Sequence, residues 1–331
     1  MTRITPKKPV TPKPKPKSSS PLPWLRALCG LAIGGLFLWL SLRQTSLEEI
    51  RTILAQSHST WLLIAIFAYG LNMTVRVMRW RTLLKGVKAI SFNKVGAALV
   101  IGYAMNNILP ARLGELFRAN FAGKRYQMPR TAVFGSIFVE RTLDGLLVVT
   151  SLLLGRLFVT ENAFLGYLTQ ASVLLFGGIF VVLWLLSRGV GTKFLAKFPT
   201  KISQHIENFR QGLGGINGVG FGITFSLSIL VWILEGIAHW SILQALNISL
   251  GIKEMLSVVG VVNLSTLFPS APGFVGTYQF AYGFTLGLFN FPQEQGIAAA
   301  TAVQIFLLGT TTIIGLGLYL YLQTFSPQSN N

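Results

Sequence analysis

The stretch "NNILPARLGELFRAN", residues 106–120, follows an apolar run and stands where a membrane-crossing helix would continue in leucine and valine. It carries Asn106, Asn107, Pro110, Arg112, Glu115 and Arg118 instead. Proline removes a backbone donor and breaks a helix interior, and each charge near the centre of a spanning helix costs about 2.5–3.5 kcal/mol on insertion scales. Either the stretch is an ordinary loop, or the chain dips into the bilayer, turns and comes back out.

The surroundings are those of a membrane protein. Of 331 residues, 51% are hydrophobic and only 11% charged, whereas soluble domains carry about 25% charged residues. Apolar runs near the spanning length of ~20 residues fall at 24–42, 61–79, 131–154, 167–187, 219–247 and 297–322. Two more, 95–110 and 256–290, are interrupted by polar or Pro/Gly clusters. No stretch is long and polar enough for a second, soluble domain. The expected organisation is a basic tail over 1–23, a membrane domain over 24–322 and a short polar tail over 323–331. The single cysteine, Cys29, forms no intrachain disulfide. The run around it lacks a small-x-small cleavage pattern and reads as an anchor. Lys7, Lys8, Lys13, Lys15 and Lys17 alternate with prolines in the tail, an extended segment suited to cytoplasmic retention and to anionic lipid head groups.

Cytoplasmic loops hold the excess of Lys and Arg. With the N-terminus inside, residues 1–26 hold seven basic residues, 76–130 eleven and 188–210 five. The other side receives only Arg43, Arg51, Arg156 and Lys253. This partition requires 95–112 to enter from the cytoplasm and return to it, since a full crossing would export Arg118, Lys124, Arg125 and Arg130. The opening stretch is therefore expected to be the turn of a re-entrant helical hairpin. Irregular backbone at that depth must be buried in protein or line a wet cavity.

A second copy of the pattern supports this. "NNILPARLG" (106–114) is similar to "LSTLFPSAPG" (264–273), with Pro110 against Pro269 and Gly114 against Gly273, 159 residues apart in both pairs. Trp80 lies 30 residues before its proline and Trp240 29 before its own. Under the charge-derived topology, span 61–79 runs inward and span 219–247 outward. The expected fold is an all-α polytopic membrane protein of inverted repeats with two re-entrant helical hairpins, an architecture used by secondary transporters.

Intramembrane charges are expected to face a bundle interior or cavity. Glu140 and Asp144 share a helix face, and Arg141 and Asp144 are close enough to pair. They form either a self-neutralising lock or a coupling or substrate site. Asn72, Arg76 and Arg79 share a face of span 61–79. Arg79 and Arg81 have the option of snorkelling to head groups, and the deeper Arg76 suits a phosphate or Glu140. Glu235 and His239, four apart, form a structural hydrogen bond or a proton-coupling pair. A helix starting near Arg112–Gly114 presents free N–H groups and positive dipole to an anion, with Arg112 and Arg118 as bidentate donors. The related "FPSAPGFVGTYQF" brings Ser270, Thr277, Tyr278 and Gln279 and no arginine. No P-loop and no Cys/His cluster of zinc spacing occurs, so neither a cofactor nor a metal is expected. The glycine-rich 212–222 reads as a flexible junction.

"NNILPARLGELFRA", "VERTLDGL" and "PSAPGFVGTYQF" together resemble the signature segments of the lysylphosphatidylglycerol synthase transmembrane region, the flippase-like family. The resemblance spans about residues 25–322. It implies a multi-spanning cell-membrane domain of inverted repeats that moves lipid between leaflets. It also implicates Asn107, Pro110, Arg112, Gly114, Glu115 and Arg118; Glu140, Arg141 and Asp144; and Pro269, Pro272, Gly273 and Gly276. The full synthases carry a further soluble aminoacyl-transferase domain, and this chain runs to "LQTFSPQSNN", so lysyl-lipid synthesis by it alone is not expected. The expected function is transport of a lipid with a phosphate-bearing head group, held by Arg76, Arg112 and Arg118 with Glu140 and Asp144 on the rest of the head group. The alternative is a membrane-embedded transferase, or an accessory subunit, acting on lipid-linked sugars or aminoacyl lipids. Expected partners are the membrane lipid, anionic head groups at the tail and a separate transferase. Nucleic acid is not among them, and no oligomeric state follows.

Overall fold

A computed structural model describes residues 47–109, 112–157, 162–190, 199–216, 219–268 and 270–325. The basic tail, span 24–42, Pro110 and Pro269 lie outside the described residues. Every regular element among the described residues is helical.

A short helix α1 (Leu47–Ala55) precedes α2 (Ser59–Leu84), then α3 (Phe92–Ile108), α4 (Gly114–Arg125) and α5 (Arg130–Arg156). Next come α6 (Ala163–Ser187) and α7 (Thr200–Gly212), the latter running into a 3-10 turn, Leu213–Ile216. The second half holds α8 (Val219–Ala245), α9 (Ile252–Ser265) and α10 (Thr277–Gly287). It closes with α11 (Gln293–Val303), a π-helical segment (Gln304–Gly309) and α12 (Thr310–Thr324). Span 297–322 is thus one long rod with a wide turn in its middle, which hydropathy alone does not register.

Local chemistry sets the helix starts. Asn162 caps α6 by accepting from the Leu165 N–H at 3.0 Å, satisfying a donor that the first turn leaves free. Gln279 folds back on α10, its Oε1 accepting from the Gly276 N–H at 2.8 Å. Gly276 has φ +87°, a conformation that glycine adopts without steric cost. Pro129 and Pro292 stand just before α5 and α11, where a missing N–H is harmless.

Among the described residues, four rods are long and apolar enough to cross a bilayer: Ser59–Leu84, Ala163–Ser187, Gly220–Ala245 and Gln293–Thr324. Helix α5 has the length, but Glu140, Arg141 and Asp144 interrupt its apolar character. Helix α2 packs along α8, α5 against α9, and α12 against α3. Small residues allow the closest approaches. A Cβ on Gly315 would lie 2.5 Å from Ala104 Cβ and 2.7 Å from the Val100 carbonyl, the close backbone contact that small residues permit between membrane helices. One apolar core gathers Ala65, Val148, Ile242, Val258 and Ala299. A second gathers Trp80, Leu83, Leu99, Ile137 and Leu143. Outward faces are apolar too: Phe67, Leu174 and Ile313 are each at least three-quarters exposed, as a surface solvated by lipid tails requires.

Candidate functional site

Between the two cores lies a buried polar cluster. Asn72, Arg76 and Arg79 follow one another down the inner face of α2, and all three are buried. Helix α5 brings Glu140 and Asp144 to meet them, also buried. An ion taken out of water costs several kcal/mol unless it is paired and hydrogen-bonded, and here the pairing is dense. Arg79 Nη1 lies 2.6 Å from Asp144 Oδ1 and donates to Ser228 Oγ at 3.1 Å. Arg118, from α4, grips Glu140 with both terminal nitrogens at 3.2 and 2.9 Å. Its guanidinium lies 4.0 Å from the centre of the Trp80 ring, a cation–π stack that adds to the ion pair. Arg141 contacts the Glu140 carboxylate directly, Asp144 at 3.4 Å and Glu115 at 3.4 Å. The Trp232 indole donates to Asp144 Oδ1 at 3.1 Å.

The pairing differs in two respects from the sequence reading. Arg79 does not snorkel to the membrane surface: it is fully buried, because Asp144 and Ser228 supply the oxygens that head groups would have supplied. Arg76 does not take Glu140, which Arg118 occupies. It bonds Asn72 Oδ1 at 2.7 Å, the Tyr103 hydroxyl at 2.9 Å and Glu235 at 3.3 Å. Behind Glu235, His239 lies 3.6 Å away through Nε2, and its Nδ1 shares a 2.6 Å hydrogen bond with the Tyr282 hydroxyl.

A cavity of about 310 Å³ opens beside this cluster. Eight of the twelve residues expected to bind substrate line it: Arg76, Asn107, Arg112, Glu115, Arg141, Asp144, Glu235 and Tyr278. Arg118 and Glu140 stand behind the wall as a locked pair, and His239 sits deeper still. Gln279 is turned away, holding Gly276 and Gln304. Of the turn residues, Gly273 and Gly276 adopt positive φ. Pro272 opens a short 3-10 turn, Pro272–Phe274. At Gly114 a Cβ would lie 2.2 Å from the Asn106 nitrogen and 2.6 Å from the Gly102 carbonyl, so only glycine lets α4 start this close to α3.

Sequence reasoning missed Tyr69, Tyr103, Asn106, Asn263 and Thr266 on the same wall. The signal was present for Tyr103 and Asn106, which recur with the expected Asn107 at helical spacing inside an apolar run, and such a polar stripe faces protein. Tyr69, three residues before Asn72 and seven before Arg76, continues the polar face of α2 by one turn.

Five guanidiniums (Arg76, Arg79, Arg112, Arg118 and Arg141) meet four carboxylates (Glu115, Glu140, Asp144 and Glu235) in and behind this wall. Arg112 is the unmatched one. It has no salt bridge among the described residues; its Nη2 donates to Thr266 Oγ1 at 2.8 Å, and its Nε is buried without a partner. The Asn106 Oδ1 and Arg141 Nε also lack hydrogen-bond partners. Arg112 is held at φ +56°, a strained region for a non-glycine residue and one that clusters at functional sites.

Comparison with known proteins places the chain among membrane proteins. The family model described as the lysylphosphatidylglycerol synthase TM region matches residues 27–315. A UPF0104 membrane protein of Methanocaldococcus jannaschii is 24% identical over 308 residues, covering 86% of this chain and 91% of that protein. Glycosyltransferase AglD of Haloferax volcanii is 24% identical over 312 residues, 81% of this chain but 50% of AglD. The chain therefore spans about half of AglD. A UPF0104 membrane protein of Methanothermobacter thermautotrophicus is 23% identical over 258 residues, 69% of this chain and 75% of that protein. No solved structure matches.

Proposed function

The chain belongs to the lysylphosphatidylglycerol synthase transmembrane-region family, and from that premise we propose that it moves a phosphate-bearing lipid between the leaflets of the cell membrane. The observation that carries this reading is Arg112. A half-buried guanidinium that faces a cavity, with its Nε buried and unpartnered and no carboxylate paired to it among the described residues, is suited to an anion, and a phosphate matches its planar fork. Arg76 and Arg141 flank the same space. Asp144, Glu115 and Tyr278 are available to a cationic or hydroxylated part of the head group.

The proposed architecture is a pair of inverted repeats. Helices α2, α3, α4 and α5 start at Ser59, Phe92, Gly114 and Arg130; α8, α9, α10 and α11 start at Val219, Ile252, Thr277 and Gln293, in the same order and near-constant offset. In each set the two middle helices fall below the typical spanning length of ~20 residues: α3 has 17, α4 12, α9 14 and α10 11. We read α3–α4 and α9–α10 as the two re-entrant hairpins, one entering from each side. Placing the N-terminus in the cytoplasm puts Lys124 and Arg125 there too, as the charge rule asks. Transport is then passive, ion-coupled or driven by a partner.

A second reading is favoured by one observation, the likeness to AglD. There the chain would be the membrane half of a system whose separate transferase acts on lipid-linked sugars.

Native mass spectrometry of the protein extracted with its own membrane tests the first reading. The expected result is a co-purified lipid bearing phosphate, lost in Arg112→Gln. A wild-type protein that retains no phosphate-bearing lipid, and moves none between leaflets of reconstituted vesicles, would sink it.

A further inference from the structure

We infer that a groove beside the cavity holds the hydrocarbon tail of the lipid whose head group the cavity receives, so that the lipid enters sideways from the bilayer. This rests on the head-group reading above. The groove measures about 290 Å³ and is lined mainly by apolar groups, among them Gly273, Val275, Leu308, Gly309 and Ile313. Asn107 and Leu308 line both this groove and the polar cavity. They are the partition between the two spaces.

Three features suit that partition to a lipid. The groove exists because side chains are absent: a Cβ on Gly309 would meet only the Gln304 carbonyl, at 3.4 Å, and one on Gly273 only the Asn107 carbonyl, at 3.9 Å. Its outer lip is Ile313, 75% exposed on the lipid-facing side of α12. The partition itself is fastened by small polar contacts. Asn107 Nδ2 donates to the Leu308 carbonyl at 3.2 Å and to Thr312 Oγ1 at 2.9 Å. Leu308 sits in the π-helical segment, a backbone irregularity frequent at functional sites, so one side of the partition is a wide helical turn.

The physical argument is that head and tail require different solvents. Drawing a tail through a cavity lined by arginines and carboxylates would forfeit the apolar burial of every CH₂ along it. A tail lying past Gly273 and Gly309, with its far end in the bilayer, forfeits nothing while the phosphate reaches Arg112. Arg112 and the groove are joined through the turn after α9: Arg112 bonds Thr266 and lies 5.9 Å from the Phe274 ring, next to Gly273 and Val275. A head group at Arg112 therefore has a tail exit within the same turn.

The test uses the full chain in vesicles containing phosphatidylglycerol with a diazirine midway along one acyl chain. After photolysis, adducts are mapped by peptide mass spectrometry. They are expected to concentrate on Val275, Leu308 and Ile313 relative to Leu174, a lipid-facing residue on α6 that is 77% exposed. Filling the lip with Ile313→Trp should lower groove labelling roughly tenfold, equivalent to about 1.4 kcal/mol, with Leu174 labelling unchanged. Equal labelling of groove and Leu174 in the wild type overturns the tail site. The head-group reading is judged separately by binding of water-soluble glycerol 1-phosphate. Concentrated groove labelling without glycerol-phosphate binding keeps the tail site and removes the phosphate chamber.

Discussion

Arg76 Nη2 and Glu235 Oε2 lie 3.3 Å apart although 159 residues separate them. One helical turn earlier, Asn72 donates to the Val231 carbonyl at 2.6 Å across the same 159 residues. That interval also separates Pro110 from Pro269. Counterparts that touch each other are what a two-fold contact produces, since each residue on the axis meets its own equivalent. Under the proposed repeat, the α2–α8 pair lies on that axis, and Arg76–Glu235 is a contact between equivalent positions that carry opposite charges.

The proposed inversion predicts opposite exposure of the two hairpin ends. In a Cys29→Ser background, an impermeant thiol reagent should label Lys124→Cys only from the cytoplasmic side and Asn290→Cys only from the other. Labelling of both from one side would remove the inverted arrangement.

Glu140 and Arg118 should behave as structure and not as binding groups. Removing one partner of a buried pair costs about 3–5 kcal/mol, so Glu140→Gln is expected to lower the thermal unfolding midpoint in detergent sharply. Lipid bound per folded molecule should stay near the wild-type value. Loss of lipid binding in a normally stable Glu140→Gln protein would place the residue back in the binding machinery.

Arg112 should show the reverse pattern. Among the described residues it bonds one hydroxyl and faces one distant ring, so Arg112→Gln removes little internal support. A hydrogen bond to a charged group contributes about 1.5–3 kcal/mol, and its loss should weaken lipid binding roughly 10- to 100-fold. Arg112→Lys keeps the charge without the two-donor fork and should fall between wild type and Gln. If lysine matches arginine fully in a leaflet-transfer assay, the residue serves orientation and not recognition.

Gly114→Ala should fail to assemble. The added methyl meets backbone at 2.2 and 2.6 Å, and backbone cannot rotate aside as a side chain does. The expected outcome is a large loss of monodisperse protein on size-exclusion chromatography. Gly70→Ala, where a Cβ meets nothing within 4 Å, serves as the control and should be indistinguishable from wild type.

Elements and pairings differ in how far the sequence displays them. Apolar runs located α5 and α8 to within about two residues and α2 and α6 to within about five, since an apolar run is written in local composition while its polar end turns are not. The acids of α5 were also visible, because charge in an apolar run has few meanings. Their partners were not. Arg118 reaches Glu140 from another helix, and Arg79 reaches Asp144 across 65 residues, so each pair depends on rotational register that no local pattern encodes. The wide turn at Gln304–Gly309 escaped for the same reason: π geometry leaves hydropathy unchanged.

The burial of Arg79 and Arg118 also bears on how the chain is made. A helix carrying Glu140, Arg141 and Asp144 is a poor client for insertion by itself, at about 2.5–3.5 kcal/mol per central charge. Its counter-ions are on α2 and α4, which the ribosome delivers first. Helix α5 thus becomes hydrophobic enough to stay only in their company, which makes α2 through α5 a single unit of biogenesis. A ribosome stalled after α4 leaves Arg79 and Arg118 waiting at the translocon without their acids.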